Sequence, residues 1–527
     1  MTPPTNARSV KSLFETSLRR YADRVAVRVD GTEVTYGELD ERANAVAREL
    51  ARLGVDPEDR VGLLTSNCLE YVIADLALVK AGAAKIPLND MLTPEEFEYI
   101  LDDAGVETVV CGPAFVDTVD DLYGALDALE TVIAIDDGQP LPENFESFAD
   151  LDGRADTPPD VTPSPDAVAG HYYTGGTTGD PKGVIHTQEG LAMAMYSHII
   201  EVGITGDDTM LLMTPLPHSA GAFLWAGLLS GASAIIHDGF EPTRALESIE
   251  THDVTWTFMV PTMIYRLLDH EDLQSTETDS LSTLTYGAAP MTPARLREGL
   301  DVFGPVFLQF YGQTEVPNVI TTLGKAEHRL AIENGDEHRL SSAGQPCLMS
   351  DVRIVDPETS DPVAPGEEGE ILATAPYAMT EYFERPEKTA ETLVDGWVRT
   401  GDIGRIDEDG YVYLLDRASN MIITGGMNVY STEVEEVLDE HPDIQQVAVI
   451  GTPDDEWGEL VTAVVVPHDG TDLTDAEIRK FADDRLADYK RPKRVEFIDE
   501  IPKTPYGKMD KKALREPYWE DTAREIG

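Results

Sequence analysis

Residues 171–187 read His-Tyr-Tyr-Thr-Gly-Gly-Thr-Thr-Gly-Asp-Pro-Lys-Gly-Val-Ile-His-Thr. Glycines let a backbone turn tightly and approach a ligand closely. Exposed backbone amides, hydroxyls and a positive charge are the groups that bind a polyphosphate. The stretch offers these groups at Thr174, Gly175, Gly176, Thr177, Thr178, Gly179 and Lys182. It therefore predicts a phosphate-binding loop, and the alternative on composition alone is an ordinary glycine-rich surface turn.

This loop is not a Walker A motif, which requires glycine, four residues and then Gly-Lys-Ser/Thr. The fifth residue after Gly176 is Pro181, and Lys182 is followed by Gly183 rather than by a hydroxyl residue. The pattern therefore disfavours a P-loop NTPase.

Length and charge limit the class of protein. A chain of 527 residues is too long for one hydrophobic core, so we expect two or more domains. Its 98 acidic and 40 basic residues give a net charge of −58, spread along the whole chain, while 42% of the residues are hydrophobic. This composition favours a folded protein with a halophilic surface, because at about 1 M salt the Debye length is roughly 3 Å and self-repulsion is screened. No basic face is apparent, which disfavours nucleic-acid partners.

Cysteine usage and the amino terminus indicate location. Cys68, Cys111 and Cys347 form no metal or redox spacing, and an odd, low count favours a reducing, intracellular setting. The first residues lack the pattern of a signal peptide. No apolar run reaches the roughly 18 residues of a membrane span. We therefore expect a cytoplasmic protein without stable membrane insertion, and we leave a homodimer open.

Strand-like and helix-like segments alternate from residue 1 to about residue 160, which predicts an α/β domain with a largely parallel sheet. A strand at Val25–Val29 ends at an Asp-Gly turn, which is a hairpin signal. The other predicted elements are helices over residues 36–53 and 71–80 and strands over residues 61–65 and 84–88.

Further segments after the loop are weak signals one by one. Residues 211–218 bring an apolar strand to a histidine, and residues 220–229 form an apolar run that predicts a buried helix, the wall of an acyl pocket, or both. Tyr-Gly-Ala-Ala-Pro at 286–290 and Gln-Phe-Tyr-Gly-Gln-Thr-Glu at 309–315 each read as a strand that runs into a turn, and in Trp-Val-Arg-Thr-Gly-Asp at 397–402 the Asp after Thr-Gly reads by itself as a turn residue.

Together and in this order, the motifs resemble the AMP-forming acyl-CoA synthetase family, part of the adenylate-forming superfamily with luciferases and peptide-synthetase adenylation domains. The family loop usually reads Tyr-Thr-Ser-Gly-Thr-Thr-Gly-x-Pro-Lys-Gly, and Gly175 replaces the serine here, so one possible phosphate hydroxyl is missing. The resemblance covers nearly the whole chain. It implies a large N-terminal AMP- and acyl-binding α/β domain with mixed β-sheets at residues 1–416, and a small mobile α+β domain at residues 417–527.

The resemblance implies a nucleotide site built from several motifs. Its residues outside the loop are Gly287, Ala288, Ala289, Gln309, Tyr311, Gly312, Asp402 and Arg417. The adenine lies against the Tyr311 ring, since a flat base packs on a flat partner, and Asp402 accepts hydrogen bonds from the ribose. Thr314 contacts phosphate, while Glu315 and Thr177 hold Mg²⁺, a hard cation that prefers oxygen ligands.

The resemblance also implies an acyl site. His218 takes the position that gates this site against the thiol tunnel, although a lone histidine is more often structural. The acyl pocket is assigned to Phe223, Trp225 and Met259, which indicate an apolar acid, fatty or aryl.

The C-terminal motifs imply a moving domain. Ser419 occupies the hinge position, where the family usually has Asp or Lys, and Gly425 and Gly426 resemble the turn that lines the pantetheine tunnel of CoA. Lys508 matches the lysine that reaches the adenylation site; a solvated basic loop is the alternative. A flexible cation suits negative charge that grows in a transition state.

Local patterns predict the small domain's elements. Thr432 with Glu435, and Thr474 with Glu477, have the spacing of helix capping boxes. Residues 447–451 and 460–466 read as strands.

We therefore predict an acid–CoA ligase. It would use ATP and Mg²⁺ to convert a carboxylic acid into an acyl-adenylate, and would then transfer the acyl group to CoA. The alternatives are an adenylating enzyme with a carrier-protein or other acceptor, a luciferase-like oxygenase, for which the sequence offers no support, and a nucleotide-binding regulator without chemistry.

Overall fold

The computed structural model describes residues 8–174, 181–357, 359–425, 427–454, 457–468, 470–471, 473–483, 485–504 and 509–519. The described residues form two compact units. The first contains those up to residue 352 together with 373–398, and the second contains 353–372 and those from 399 onward.

The helices, in chain order, are α1 (Val10–Arg20), α2 (Tyr36–Arg52), α3 (Leu69–Ala81), α4 (Pro94–Asp103), α5 (Val116–Tyr123), α6 (Phe148–Leu151), α7 (Gln188–Val202), α8 (Ser219–Ser230), α9 (Pro242–Thr251), α10 (Pro261–Leu268), α11 (Pro293–Phe303), α12 (Lys325–Asn334), α13 (Glu337–Leu340), α14 (Pro386–Thr392), α15 (Ser431–Asp439), α16 (Asp475–Asp483) and α17 (Lys511–Trp519).

The strands, in chain order, are β1 (Val25–Val29), β2 (Thr32–Thr35), β3 (Arg60–Leu64), β4 (Ala84–Pro87), β5 (Thr108–Cys111), β6 (Thr131–Ala134), β7 (Glu146–Ser147), β8 (Val168–Thr174), β9 (Lys182–Thr187), β10 (Thr209–Leu212), β11 (Ser233–Ile236), β12 (Trp256–Met259), β13 (Thr283–Gly287), β14 (Phe307–Gln313), β15 (Val316–Leu323), β16 (Gln345–Pro346), β17 (Asp351–Val355), β18 (Gly369–Thr374), β19 (Leu393–Val394), β20 (Trp397–Ile406), β21 (Val412–Arg417), β22 (Ile422–Thr424), β23 (Met427–Val429), β24 (Ile444–Asp454), β25 (Gly458–Pro467) and β26 (Arg494–Phe497).

Two mixed sheets build most of the first unit. Among the described residues, one sheet has the order β16-β15-β14-β13-β12-β10-β11-β1-β2 and the other has the order β7-β6-β5-β3-β4-β8-β9. Strands are parallel through the middle of each sheet, and antiparallel pairs stand at the edges, including β14 with β15 and β8 with β9. The prediction of an α/β domain with a largely parallel sheet is confirmed.

Local sequence signals explain several of these elements. Asp30 and Gly31 both adopt positive φ between β1 and β2, as the hairpin signal predicts. Helix α2 begins with a capping box in which Thr35 and Glu38 satisfy each other's backbone amides. Helix α8 is the predicted apolar helix, and most of its side chains are buried.

The second unit contains two smaller sheets. One is, among the residues described, a sheet of five strands, β17, β18, β19, β20 and β21, in which β21 pairs antiparallel with β20. The other has the order β23-β22-β25-β24, with β26 parallel to β25. Helices α15 and α16 cover a core on the second sheet that includes Val434, Val449 and Ile478.

The compact units do not divide at residues 416 and 417. Residues 353–372 and 399–416 group with the C-terminal residues. Hydrogen bonds help explain this grouping, because the Tyr430 hydroxyl donates to Glu368 at 2.8 Å and the Ser431 amide donates to Asp416 at 2.6 Å. The domain boundary at 416/417 stays a prediction.

One of the two capping boxes predicted for the small domain is absent, so that prediction is wrong. Thr474 and Glu477 bond as predicted. Helix α15, however, begins at Ser431, which places Thr432 inside the helix, where its hydroxyl donates to the Leu415 carbonyl. Asp416 accepts from the first amides of α15 instead. A carboxylate distant in sequence therefore replaces the local cap.

Candidate active site

Three segments of the first unit meet around the turn at Thr314 and Glu315, which joins β14 to β15. Strand β9 begins at Lys182, the cation of the predicted phosphate loop. Residues 379–383 lie along β9: the Ile185 amide donates to the Glu381 carbonyl at 3.0 Å and the Phe383 amide donates to the Gly183 carbonyl at 2.8 Å. Backbone hydrogen bonds therefore fix the register of this segment against β9.

The same segment holds Glu315. The Met379 amide donates to the Glu315 carbonyl at 2.7 Å, and the Tyr382 hydroxyl donates to Glu315 Oε1, also at 2.7 Å. The Lys182 ammonium lies 5.3 Å from the centroid of the Tyr382 ring, within the range of a cation–π contact. The structure thus brings together the lysine and the carboxylate that the sequence analysis assigned to phosphate and Mg²⁺.

His186 holds the other residue of the turn. Its Nε2 lies 2.8 Å from the Thr314 carbonyl. Burial lowers the pKa of His186 to about 4, so the ring is neutral near pH 7. A carbonyl only accepts hydrogen bonds, so the proton is on Nε2 and His186 is the donor.

The predicted adenine segments lie on neighbouring strands. Strands β13 and β14 are parallel, with Tyr286 opposite Gln309 and Gly287 opposite Phe310. Ala288 follows with φ of +65°, a strained value for a residue with a side chain. A Cβ on Gly312 would lie 2.2 Å from the Asn318 carbonyl oxygen, so the bulge between β14 and β15 requires glycine there.

The residues predicted to form the acyl site lie in different parts of the first unit. His218 precedes α8 at its N-terminal cap position. Phe223 packs among aromatic rings that include Trp256 and Phe310. Trp225 instead donates from its indole to Asp75 and stacks under Lys85.

Met259, the third residue of that prediction, lies in another part of the core. It packs in the cluster that contains Leu211 and Leu284. The assignment of these residues to one pocket stays a prediction.

A polar chain near His218 carries no sequence motif. Asn318 has φ of +58° and its amide nitrogen lies 3.0 Å from His198 Nε2, while its oxygen accepts from the Ser219 hydroxyl at 3.0 Å. His198 Nδ1 donates to the Ala194 carbonyl, so Nε2 is the acceptor of the Asn318 amide. These bonds link the strand after the Glu315 turn to the start of α8.

The second unit contains the remaining predicted sites. Asp402 and Arg417 lie opposite each other on β20 and β21 and form an ion pair of 2.7 Å. Ser419 lies in a short 3₁₀ turn, and its carbonyl accepts from Arg515 at 2.6 Å. Gly425 has φ of +58°, and a Cβ there would lie 2.8 Å from the Trp457 ring, so glycine is required at this turn.

Several predicted site residues lie outside the described residues. They are Gly175, Gly176, Thr177, Thr178, Gly179, Gly426 and Lys508. Their roles stay predictions.

The donors at the turn suit Mg²⁺ bound together with a polyphosphate. In the part of the chain that the structure describes, no three His, Cys, Asp or Glu side chains cluster as metal ligands. Glu315 is a single carboxylate, and Mg²⁺ in phosphate sites commonly takes one or two carboxylates, with phosphate oxygens and water as the other ligands. The residues present therefore fit this cation as a companion of ATP.

Sequence patterns did not identify His186, Tyr382, Asn318 or Arg515 as parts of these sites. None of them has a motif that points to its partner.

Within the described ranges, no helix combines the length and apolarity needed to cross a membrane.

Comparisons with known proteins identify the family of the chain. The profile of the family described as AMP-binding enzyme matches residues 14–383, and that of the AMP-binding enzyme C-terminal domain matches residues 433–508. The chain is 37% identical, over 97% of its length and 90% of the relative's, to a medium/long-chain-fatty-acid–CoA ligase, FadD8, of Mycobacterium tuberculosis (strain ATCC 25618 / H37Rv). It is 38% identical to a feruloyl-CoA synthase of Amycolatopsis sp, over 93% of this chain and 95% of that one.

A solved structure has the same fold. The amide bond synthetase McbA from Marinactinospora thermotolerans superimposes with a TM-score of 0.87 at 30% identity, over 97% of this chain and 100% of McbA. The likeness extends over both units of the chain.

Proposed function

Because this chain belongs to the AMP-binding enzyme family of ATP-dependent adenylating ligases, we propose that it is an AMP-forming acid–CoA ligase. In the first half-reaction, a carboxylate oxygen of the acid attacks the α-phosphorus of ATP, an acyl-adenylate forms and pyrophosphate leaves. In the second, the CoA sulfur attacks the acyl carbonyl carbon, the thiol proton passes to solvent and AMP leaves.

The observation that carries this proposal is the meeting of Lys182, Tyr382 and Glu315 at one turn. Negative charge grows on phosphate oxygens as pyrophosphate leaves, and fixed cations and donors stabilise it without reorganising. Glu315 would hold Mg²⁺, which when bound neutralises charge on the phosphates. Thr314 and Lys508 would act on the α-phosphate.

The two half-reactions are assigned to two orientations of the C-terminal domain. Rotation near Ser419 would withdraw Lys508 and bring in the turn at Gly425 and Gly426 for the pantetheine arm. The ion pair of Asp402 with Arg417 supports a ribose site, since it holds a carboxylate acceptor in place on β20.

The proposed acid is apolar, either fatty or aryl. The names of the relatives support both classes, one being a medium/long-chain-fatty-acid–CoA ligase and the other a feruloyl-CoA synthase. The aromatic rings around Phe223 suit such a group.

A second candidate is adenylation followed by transfer to another acceptor. The superposition on an amide bond synthetase favours this candidate, because the shared fold would then serve an amine instead of a thiol. A carrier-protein thiol is a further acceptor of the same chemical class as CoA.

The proposed setting is a cytoplasm with concentrated salt. The net charge of −58 is the reason, because a surface of this charge repels itself in dilute buffer. A melting temperature that rises steadily with KCl would support this setting, and a melting temperature insensitive to KCl would argue against it.

The test of function is AMP release in concentrated KCl with ATP, Mg²⁺ and CoA. The acids run from acetate through C4 to C16 fatty acids to benzoate and cinnamate, and mass spectrometry identifies the thioester. A parallel series replaces CoA with simple amines.

A CoA-dependent signal on one class of acid supports the ligase and names its substrate class. Pyrophosphate exchange without a thioester, but with an amide product, supports the second candidate. No AMP and no exchange with any acid would contradict both.

A further inference from the structure

Tyr382 is held where it is by backbone bonds. It forms an antiparallel bridge with Val184, two residues after Lys182, and its amide donates to the Thr389 hydroxyl at 3.0 Å. The residue is only 5% exposed. The ring is therefore part of the fixed framework of the first unit rather than a mobile surface group.

The hydroxyl and the ring of Tyr382 face different charges. The hydroxyl donates to Glu315 Oε1 at 2.7 Å, while the ring lies 5.3 Å from the Lys182 ammonium. Glu315 and Lys182 have opposite charges, and no direct ion pair between them is recorded among the described residues. A tyrosine satisfies both, because its hydroxyl donates and its ring face attracts a cation.

We propose that Tyr382 is a positioning residue that holds Glu315 in one orientation for the Mg²⁺ of MgATP and keeps Lys182 beside it. This inference rests on the proposed function. With Oε1 engaged by the tyrosine, the other oxygen of Glu315 would be the one left to hold the cation. Without the hydroxyl, the carboxylate rotates freely and binding must include the entropy of ordering it.

Calorimetric titration separates this role from a general loss of packing. The full-length protein is titrated with ATP in Mg²⁺ and, separately, with ATP in EDTA, without acid or CoA, so no turnover is needed. The dissociation constant in EDTA divided by the dissociation constant in Mg²⁺ measures how much Mg²⁺ strengthens ATP binding. We expect Tyr382→Phe to reduce this ratio about tenfold, the scale of a hydrogen bond to a charged group, and to leave ATP binding in EDTA unchanged.

Two further variants complete the test. Tyr382→Leu also removes the ring, so ATP binding in EDTA should weaken about threefold as Lys182 loses its cation–π partner. Tyr377→Phe is the matched control: it removes another buried tyrosine hydroxyl, which donates to the Val319 carbonyl at 2.6 Å, and should leave the ratio unchanged while lowering the melting temperature.

The outcomes distinguish the two levels of the argument. An unchanged Mg²⁺ ratio in Tyr382→Phe, or an equal loss in Tyr377→Phe, overturns the positioning role and leaves the ligase intact. If the unmodified protein binds ATP neither with nor without Mg²⁺, the proposed function and this inference fall together.

Discussion

The turn at Glu315 and the linker that begins at Asp416, before α15, are held by different kinds of bond. At the turn, the donors are neutral: a backbone amide from Met379, the Tyr382 hydroxyl and the His186 ring. Around the linker the donors include neutral groups and also a charged lysine. Asp416 accepts from the Ser431 amide and hydroxyl, both at 2.6 Å, and Lys511 pairs with Glu435 at 2.7 Å.

This difference suits a rigid turn at Glu315 and a linker whose bonds can break and form again. A hydrogen bond from a neutral donor responds less to salt than an ion pair does, because the attraction between two full charges weakens as ionic strength rises. Phosphate chemistry requires fixed groups, and a hinge requires bonds that break at small cost. Ser419 has no charge where the family usually has Asp or Lys. A charged group still lies at this position, because the Arg515 guanidinium on α17 donates a hydrogen bond to the Ser419 carbonyl.

The largest effect is expected at Lys508, and this prediction tests the comparison most directly. Lys508→Ala should slow acyl-adenylate formation by about 10²–10³, the scale of losing a group that stabilises growing charge. Thioester formation from supplied acyl-adenylate should be spared. Single-turnover kinetics of each half-reaction measure this, with the exposed Lys512→Ala as control. Equal loss in both halves would contradict a role for the linker in separating them.

Acid should destabilise the first unit through its buried histidines. Burial lowers the pKa of each to about 4 from 6.5; they are His171, His186, His198, His237 and His328. Between these values the unfolded chain binds a proton that the native state does not, so stability falls as pH falls from about 6.5 to 4. Each such histidine contributes a slope of about 1.4 kcal/mol per pH unit, and therefore about 3 kcal/mol per histidine over the whole interval.

His328→Gln tests this pH dependence. Urea unfolding at pH 7, 6 and 5 should show a slope smaller by about one proton than in the unmodified protein. The exposed Lys512→Ala variant should keep the full slope. An unchanged slope in His328→Gln would mean that this ring is already protonated in the native state.

Asp416 tests the charged side of the comparison. Asp416→Asn keeps the shape but removes the charge that accepts from Ser431, and should lower the unfolding free energy of the second unit by about 1.5–3 kcal/mol in dilute buffer. The loss should shrink in concentrated KCl. Glu408→Gln, an equal change of charge in an exposed turn, is the control and should have no effect. A loss independent of salt would mean that the bond acts as a neutral one.

The smallest effect is expected at the hinge. Ser419→Pro should slow thioester formation on the order of tenfold and spare adenylation, because proline stiffens the backbone about which the domain would turn. Ser419→Ala keeps the backbone free and should leave both halves unchanged. If Ser419→Pro harms neither half, the hinge lies elsewhere.

Much of the fold follows from local patterns. The hairpin at Asp30, helix α2 and the parallel strands of the first unit are readable because turn residues and apolar spacing act over a few positions. The capping box at Thr432 was misread for the converse reason. Its spacing fits the motif, but helix α15 begins one residue before Thr432, and Asp416, 15 residues before Ser431, accepts from the first amides.

The sequence by itself determined the class of protein: ordered motifs identify an adenylate-forming ligase, since each motif needs only glycines, hydroxyls and charges at short spacing. The tertiary structure alone decided which groups meet. Tyr382 and Glu315 are 67 positions apart, and His186 and Thr314 are 128 apart. Such pairs depend on strand order and register, which are settled by the packing of the whole core and leave no periodic trace in either segment.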